Sequence, residues 1–169
     1  SIGFAVRHFT SKVPGRFNTF EGTITLDPKD LSKGSVNVTI DVASIDTAIE
    51  DRDKHLKSPD FFDVEKHPKM TFQSTRVKPM GPNKAQVEGT LTLKGVTKPV
   101  TLDVEILGFG PGFGGGYLGG FEARTKINRQ DFGVSWNKAI EGGGLVLSND
   151  VEIVINVEAG RQEPPKPAA

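Results

Sequence analysis

Histidines, paired carboxylates and glycine clusters are where this sequence could carry chemistry. His8, His55 and His67 stand far apart, and none has the local spacing of a metal-ligand set. The chain has no cysteine, which removes thiolate nucleophiles, disulfides and sulfur-ligated metals. Asp51 and Asp53 fall in a charged helical pattern and read as helix surface, not as a general acid and base. No G-x-S-x-G elbow presents a serine nucleophile. Gly110-x-Gly112-x-x-Gly115 spells the glycine pattern of a dinucleotide loop. Such a loop needs a helix N-terminus after it to receive the phosphate, and no helical pattern follows. Gly108–Gly120 reads instead as a flexible hairpin loop anchored by Phe109, Phe113 and Tyr117. Asn37-Val38-Thr39 matches the glycosylation triplet mid-strand, where chance explains it. The sequence therefore names no reaction, no metal and no catalytic residue, and predicts a protein that is not an enzyme.

Polar residues on otherwise apolar faces are the remaining signal. Ile2, Phe4, Val6 and His8 share one face of the first strand pattern. His8 reads either as a core histidine hydrogen-bonded to backbone or as a contact for a ligand head group. After a turn at Pro14-Gly15, the even positions Arg16, Asn18, Phe20, Gly22, Ile24 and Leu26 form a face, which turns Arg16 and Asn18 inward.

The elements that must position these residues are strands. Alternation recurs over Ser35–Val42, Met70–Val77, Ala85–Lys94, Val96–Phe109, Gly120–Asn128 and Leu145–Val157. Turn chemistry separates them at Asp27–Asp30, Pro79–Asn83, Lys94-Gly95, Arg129–Gly133 and Gly142–Gly144. About eight strands with one dry and one wet face predict an all-β antiparallel sheet closed into a barrel, since closure removes exposed edges. Small residues on the dry face (Gly22, Ser74, Gly89, Ala123) predict a lumen that side chains leave unfilled. A flattened sandwich is the alternative that would close that gap.

One stretch departs from strand code. Asp46–Phe72 carries a capping-box pattern, Thr47 with Glu50, and the helical pairs Glu50/Lys54 and Asp53/Lys57. Ser58-Pro59 ends that helix and starts a second turn bearing Phe61 and Phe62. The reading is a short helical lid, about residues 47–63, whose two phenylalanines dip into something apolar. A surface crossover with the pair in ordinary core is the plainer reading.

Composition bounds the partners. Twenty-one basic and 21 acidic residues leave no net charge, hence no footprint for nucleic acid. No run approaches the ~20 apolar residues of a membrane-spanning helix. Eleven Phe against one Trp and one Tyr suit a dry interior. One domain is expected over residues 1–159, followed by a disordered proline-rich tail, 160–169.

With these residues laid out, the chain resembles the YceI-like family of lipocalin-like barrels. FAVRHF (Phe4–Phe9), GRFNTFEGTITLD (Gly15–Asp27), DRDKHLKSPDFFDVEKHPKMTF (Asp51–Phe72), LTLKGVTKPVTL (Leu91–Leu102) and RQDFGVSWN (Arg129–Asn137) carry the likeness. It implies an eight-stranded antiparallel barrel with a helical lid. It also implies a bound amphiphile: a polyisoprenoid such as a prenyl quinone or prenyl phosphate, or a fatty-acid or fatty-amide ligand. Export to the periplasm or secretion, and a homodimer, are further implications, with cytoplasmic residence left open. Ten buried methylenes at ~0.8 kcal/mol each would supply ~8 kcal/mol before ordering costs, roughly micromolar binding. The expected function is non-enzymatic lipid binding, transport or storage, with an enzyme acting on the bound lipid, or a solid interaction module, as alternatives. Expected lining residues are Phe4, Val6, Phe20, Ile24, Phe61, Phe62, Phe72, Leu91, Leu102, Phe121, Trp136 and Ile153, with His8, Arg16 and Asn18 meeting the head group.

Overall fold

The computed structural model describes residues 1–27, 29–111, 117–137 and 147–160, with backbone alone for Tyr117. The expected anchor Phe113, the glycine turn 142–144 and the tail from 161 onward lie outside the described residues. Ten strand segments form one antiparallel sheet, in the order β3-β4-β6-β7-β8-β9-β10-β1-β2-β5. They are β1 (Ile2–His8), β2 (Ser11–Phe17), β3 (Phe20–Thr25), β4 (Ser35–Asp41), β5 (Ile45–Asp46), β6 (Lys69–Gly81), β7 (Lys84–Leu93), β8 (Val96–Pro111), β9 (Tyr117–Asn128) and β10 (Leu147–Gly160). Among the described residues one α-helix, α1 (Glu50–Lys57), lies between β5 and β6.

Four of the ten segments are halves of two interrupted strands. β2 runs through Asn18–Thr19 into β3, and β4 runs through a short 3-10 turn, Val42–Ser44, into β5. The first half of β2–β3 pairs with β1 and its second half with β4. Arg16 and Phe17 also pair with Asp46 and Ile45 of β5. One continuous chain thus bridges both edges of the sheet and curls it into a barrel of eight strand paths. The hairpin corner Lys94-Gly95 takes positive φ at both positions (50° and 76°), the turn whose twist matches a two-residue hairpin.

The interruption at Asn18–Thr19 reverses the alternation. Phe17 faces the core at 6% exposure, and beyond the break Phe20 and Ile24 face the lumen. The expected single even-numbered face is therefore wrong for β2: Arg16 and Asn18 point outward. Arg16 pairs with Asp46 at 3.6 Å, and Asn18 Nδ2 donates to Asp46 at 3.2 Å. Pro14-Gly15 is likewise no turn but the middle of β2; the chain reverses at Phe9–Thr10, where Phe9 takes φ 54°. Beyond β1, only Arg16 and Phe17 of β2 have a partner strand, so the N–H that Pro14 lacks would face an open edge.

The helix also starts differently from its pattern. Thr47 makes no box with Glu50. Its N–H and Oγ1 both donate to Asp53 Oδ1, at 2.9 and 2.5 Å, which takes Asp53 away from Lys57. Glu50 and Lys54 do pair, at 3.2 Å. Ser58 closes the helix, its Oγ donating to His55 O at 2.6 Å, and a turn follows, with Phe61 N donating to Ser58 O at 3.0 Å. No helix among the described residues is long and apolar enough to cross a membrane.

Candidate functional site

Inside the barrel lies a cavity of about 1710 Å3. Small-molecule pockets are usually about 300–1,000 Å3, so this space suits a long ligand better than a compact one. Inward positions of every long strand line it. β1 contributes Phe4, Val6 and His8; β3 Phe20 and Ile24; β6 Phe72; β7 Leu91; β8 Leu102; β9 Phe121; and β10 Ile153. Phe61 and Phe62 line it from the turn after α1, and Trp136 from the segment after β9. Arg16, outward on β2, and Asn18, in the break after it, do not.

The lid is fastened by aromatic edges. Trp136 meets the His55 ring at 4.9 Å and the Phe61 ring at 5.3 Å. Phe62 meets Phe17 at 6.1 Å, and Phe17 meets Phe4 at 5.6 Å. His55 is held by Asp60 at 2.8 Å, and Lys94 Nζ donates to Pro59 O at 3.2 Å and Gly133 O at 3.3 Å. The pair that the sequence sets beside the helix therefore plugs into the barrel end, Phe61 at 6% exposure.

His8 lines the cavity half-buried, edge-on to Phe9 at 5.0 Å. Its ring makes no hydrogen bond to the described residues, so the expected backbone-bonded core histidine is not what forms. The small positions do not all leave space, either. A Cβ on Gly89 would come 2.5 Å from the Phe72 ring, so that ring occupies the room the glycine leaves.

Arg129 is a buried, charged lining residue that the sequence reading missed. It is 5% exposed and opens the 3-10 turn Arg129–Phe132 after β9. Its Nε donates to Ser148 O at 2.9 Å, and its Nη1 donates to Val134 O at 2.7 Å and Trp136 O at 2.8 Å. Nη2 is buried with no partner among the described residues. Desolvation lowers its pKa, yet a guanidinium stays charged at any ordinary pH. The signal was parity: Phe121, Ala123, Thr125 and Ile127 face inward, and two residues further is Arg129. No group of three metal-ligating side chains occurs among the described residues.

The YceI-like domain description matches residues 1–159. The chain belongs to the YceI-like domain family. The UPF0312 protein of Serratia proteamaculans, one relative, is 47% identical over 161 residues, spanning 95% of this chain and 80% of that protein. The crystal structure of Burkholderia cenocepacia BcnA superposes with a TM-score of 0.83 at 27% identity, covering 94% of each chain. A polyisoprenoid binding domain from Saccharophagus degradans, implicated in plant cell wall breakdown, shares the fold at a TM-score of 0.64 and 16% identity, covering 93% of this chain and 91% of that one. The YceI-like barrel with its lid is thus the architecture that holds the lumen described above.

Proposed function

We propose that this YceI-like protein binds one long-chain isoprenoid amphiphile in its lumen and carries or stores it without chemical change. The observation that supports this most is the 1710 Å3 lumen, walled by aliphatic and phenyl groups from every long strand. Filled with water, that space would hold nearly sixty molecules at about 30 Å3 each, against walls that offer few hydrogen bonds. A hydrocarbon tail removes that apolar surface from water at ~0.8 kcal/mol per methylene. A prenyl quinone or prenyl phosphate supplies such a tail. The polyisoprenoid-binding relative in fold points the same way.

Titration of delipidated protein with geranylgeranyl lipids tests the reading. Trp136 is the chain's one tryptophan and borders the lumen, so its emission reports filling. Saturable change at one lipid per chain is expected. No change for any prenyl lipid, with palmitate bound instead, would shift the reading to fatty acids. The reading extends to export to the periplasm and to a homodimer, which cell fractionation and light scattering test.

A further inference from the structure

The lid carries a cation whose direction is fixed. Arg52, His55 and Leu56 stand at i, i+3 and i+4 of α1, so they share one face, and all three border the cavity. Leu56 packs on the core, which turns that face inward. Arg52 is half-buried there. One edge of its guanidinium is already engaged: Nε donates to Thr47 Oγ1 at 2.8 Å, and Nη2 donates to Thr47 O at 2.6 Å. Thr47 is itself held, 6% exposed, with its hydroxyl donating to Asp53 Oδ1 at 2.5 Å. The arginine is therefore oriented before any ligand arrives.

A guanidinium is a planar fork with five N–H donors and two usable edges. The side-on pair, Nε–H with one Nη2–H, grips Thr47. The end-on pair, Nη1–H with the second Nη2–H, is left over, and Nη1 has no partner among the described residues. Nη1 is also reachable, because Arg129 Nη2 is the one buried side-chain nitrogen without a partner among those residues. That separates the two arginines on the wall: Arg129 is sealed and Arg52 is open.

No carboxylate of the described residues lies within ion-pair distance of Arg52. The acids around it have other places. Glu50 pairs with Lys54, Asp60 holds His55, and Asp53 accepts from the N–H and hydroxyl of Thr47. Asp51 borders the cavity but is exposed, where water and salt screen it. A purely structural arginine would fasten the turn before α1 to the helix, and the side-on edge does that alone. The end-on edge matches the two oxygens of a carboxylate or phosphate. It borders a chamber lined at this end by Phe61, Phe62 and Trp136, so a head group there finds few other donors.

We propose that the end-on edge of Arg52 is the head-group anchor of the lumen, donating from Nη1 and Nη2 to an oxyanion, a phosphate or carboxylate, at the polar end of the bound lipid. This rests on the lipid-binding reading above and adds its polarity. The head lies under α1 at the lid end, and the tail runs away from the lid along the lumen. An oxyanion supplies two acceptors and the countercharge; a neutral quinone oxygen supplies one acceptor and no charge.

The test compares heads on matched tails. Delipidated native protein is titrated with geranylgeranyl monophosphate, geranylgeraniol and a menaquinone of four prenyl units, and separately with palmitate and cetyl alcohol. Charge-assisted bonds imply that oxyanions bind about tenfold to a hundredfold more tightly than the matching alcohols. The two oxyanion arms separate phosphate from carboxylate. Arg52→Met is expected to abolish that ratio while leaving alcohol binding nearly unchanged, and Arg52→Lys, which keeps the charge but loses the fork, to keep part of it. The ratio is read within each variant, so a moderate loss of stability does not disturb it. Should neither variant fold, side-chain nitrogen NMR of native Arg52 gives the answer: its signals should move with the phosphate and stay with the alcohol. Equal binding of oxyanion and alcohol, tighter binding of the quinone, a ratio that survives Arg52→Met, or an unmoved Arg52 signal overturns the inference alone. Failure of every lipid to bind overturns the lumen reading itself.

Discussion

The phenyl ring of Phe4 lies over Gly15, its partner across the β1–β2 pair, so closely that a Cβ at Gly15 would sit 2.3 Å from the ring tip. Gly15 thereby lets Phe4 lie flat against the sheet, with its ring 5.6 Å from Phe17. Gly15→Ala should push that ring into the lumen. A cost of about 1–3 kcal/mol is expected, as for other overpacked cores. Urea unfolding of Gly15→Ala, Phe4→Leu and the double variant measures it. Truncating Phe4 should remove most of the penalty, which appears as a coupling between the two sites.

Phe61 is the peg that holds the lid. Replacing it with alanine removes a ring packed on Trp136 and His55, a change worth about 3–5 kcal/mol for a buried phenylalanine. The loss should be local. Amides of α1 are expected to exchange faster, while those of the β7–β8 hairpin keep their protection. Uniform acceleration throughout the barrel would show that the lid is part of the global core.

Asp46 ties the closing seam. It accepts from Ala48 N at 2.9 Å and from Asn18 Nδ2, and Arg16 stands 3.6 Å away. The Ala48 backbone bond leads, with Asn18 next, in holding its pKa below the ordinary 3.8. The folded state thus favours the charged form. The stabilisation is present above the unfolded value and fades as pH falls through the lower folded one. Asp46→Asn should therefore flatten the acid loss of stability below about pH 4, read as urea midpoints against pH. Asp30, held low by Ser32, keeps its own share, so the flattening is partial.

Ala123 offers a way to plug the lumen without disturbing the wall. It is buried on β9 between Val104 and Ile155, facing the cavity. Ala123→Phe places a ring in free space rather than in packed core. Stability should hold to within about 1 kcal/mol, while displacing two or three methylenes should weaken lipid binding by roughly 2 kcal/mol, about thirtyfold. Tail-length titrations on the variant check this; the shortest tails should lose least.

Much of the architecture was legible because it rests on short-range rules. Alternation in β7, β8 and β9 and the Lys94-Gly95 corner follow from parity and turn chemistry. Parity failed where the strand itself breaks. Asn18–Thr19 adds one position between β2 and β3, and nothing in Arg16–Phe20 marks the shift, so Arg16 and Asn18 were assigned to the wrong face. Thr47 fits a box with Glu50 equally well in sequence, and only tertiary closeness gives it to Asp53. Arg129 escaped for a related reason: a turn signal hid a residue that continues the inward face of β9. Its burial depends on Trp136 and Ser148, which no local pattern joins to it.

Native mass spectrometry of protein purified without detergent or solvent tests the central claim most directly. The account predicts a complex carrying one long-chain lipid per chain, released as an isoprenoid on organic extraction. A bare polypeptide mass that takes up no prenyl lipid on incubation would contradict it.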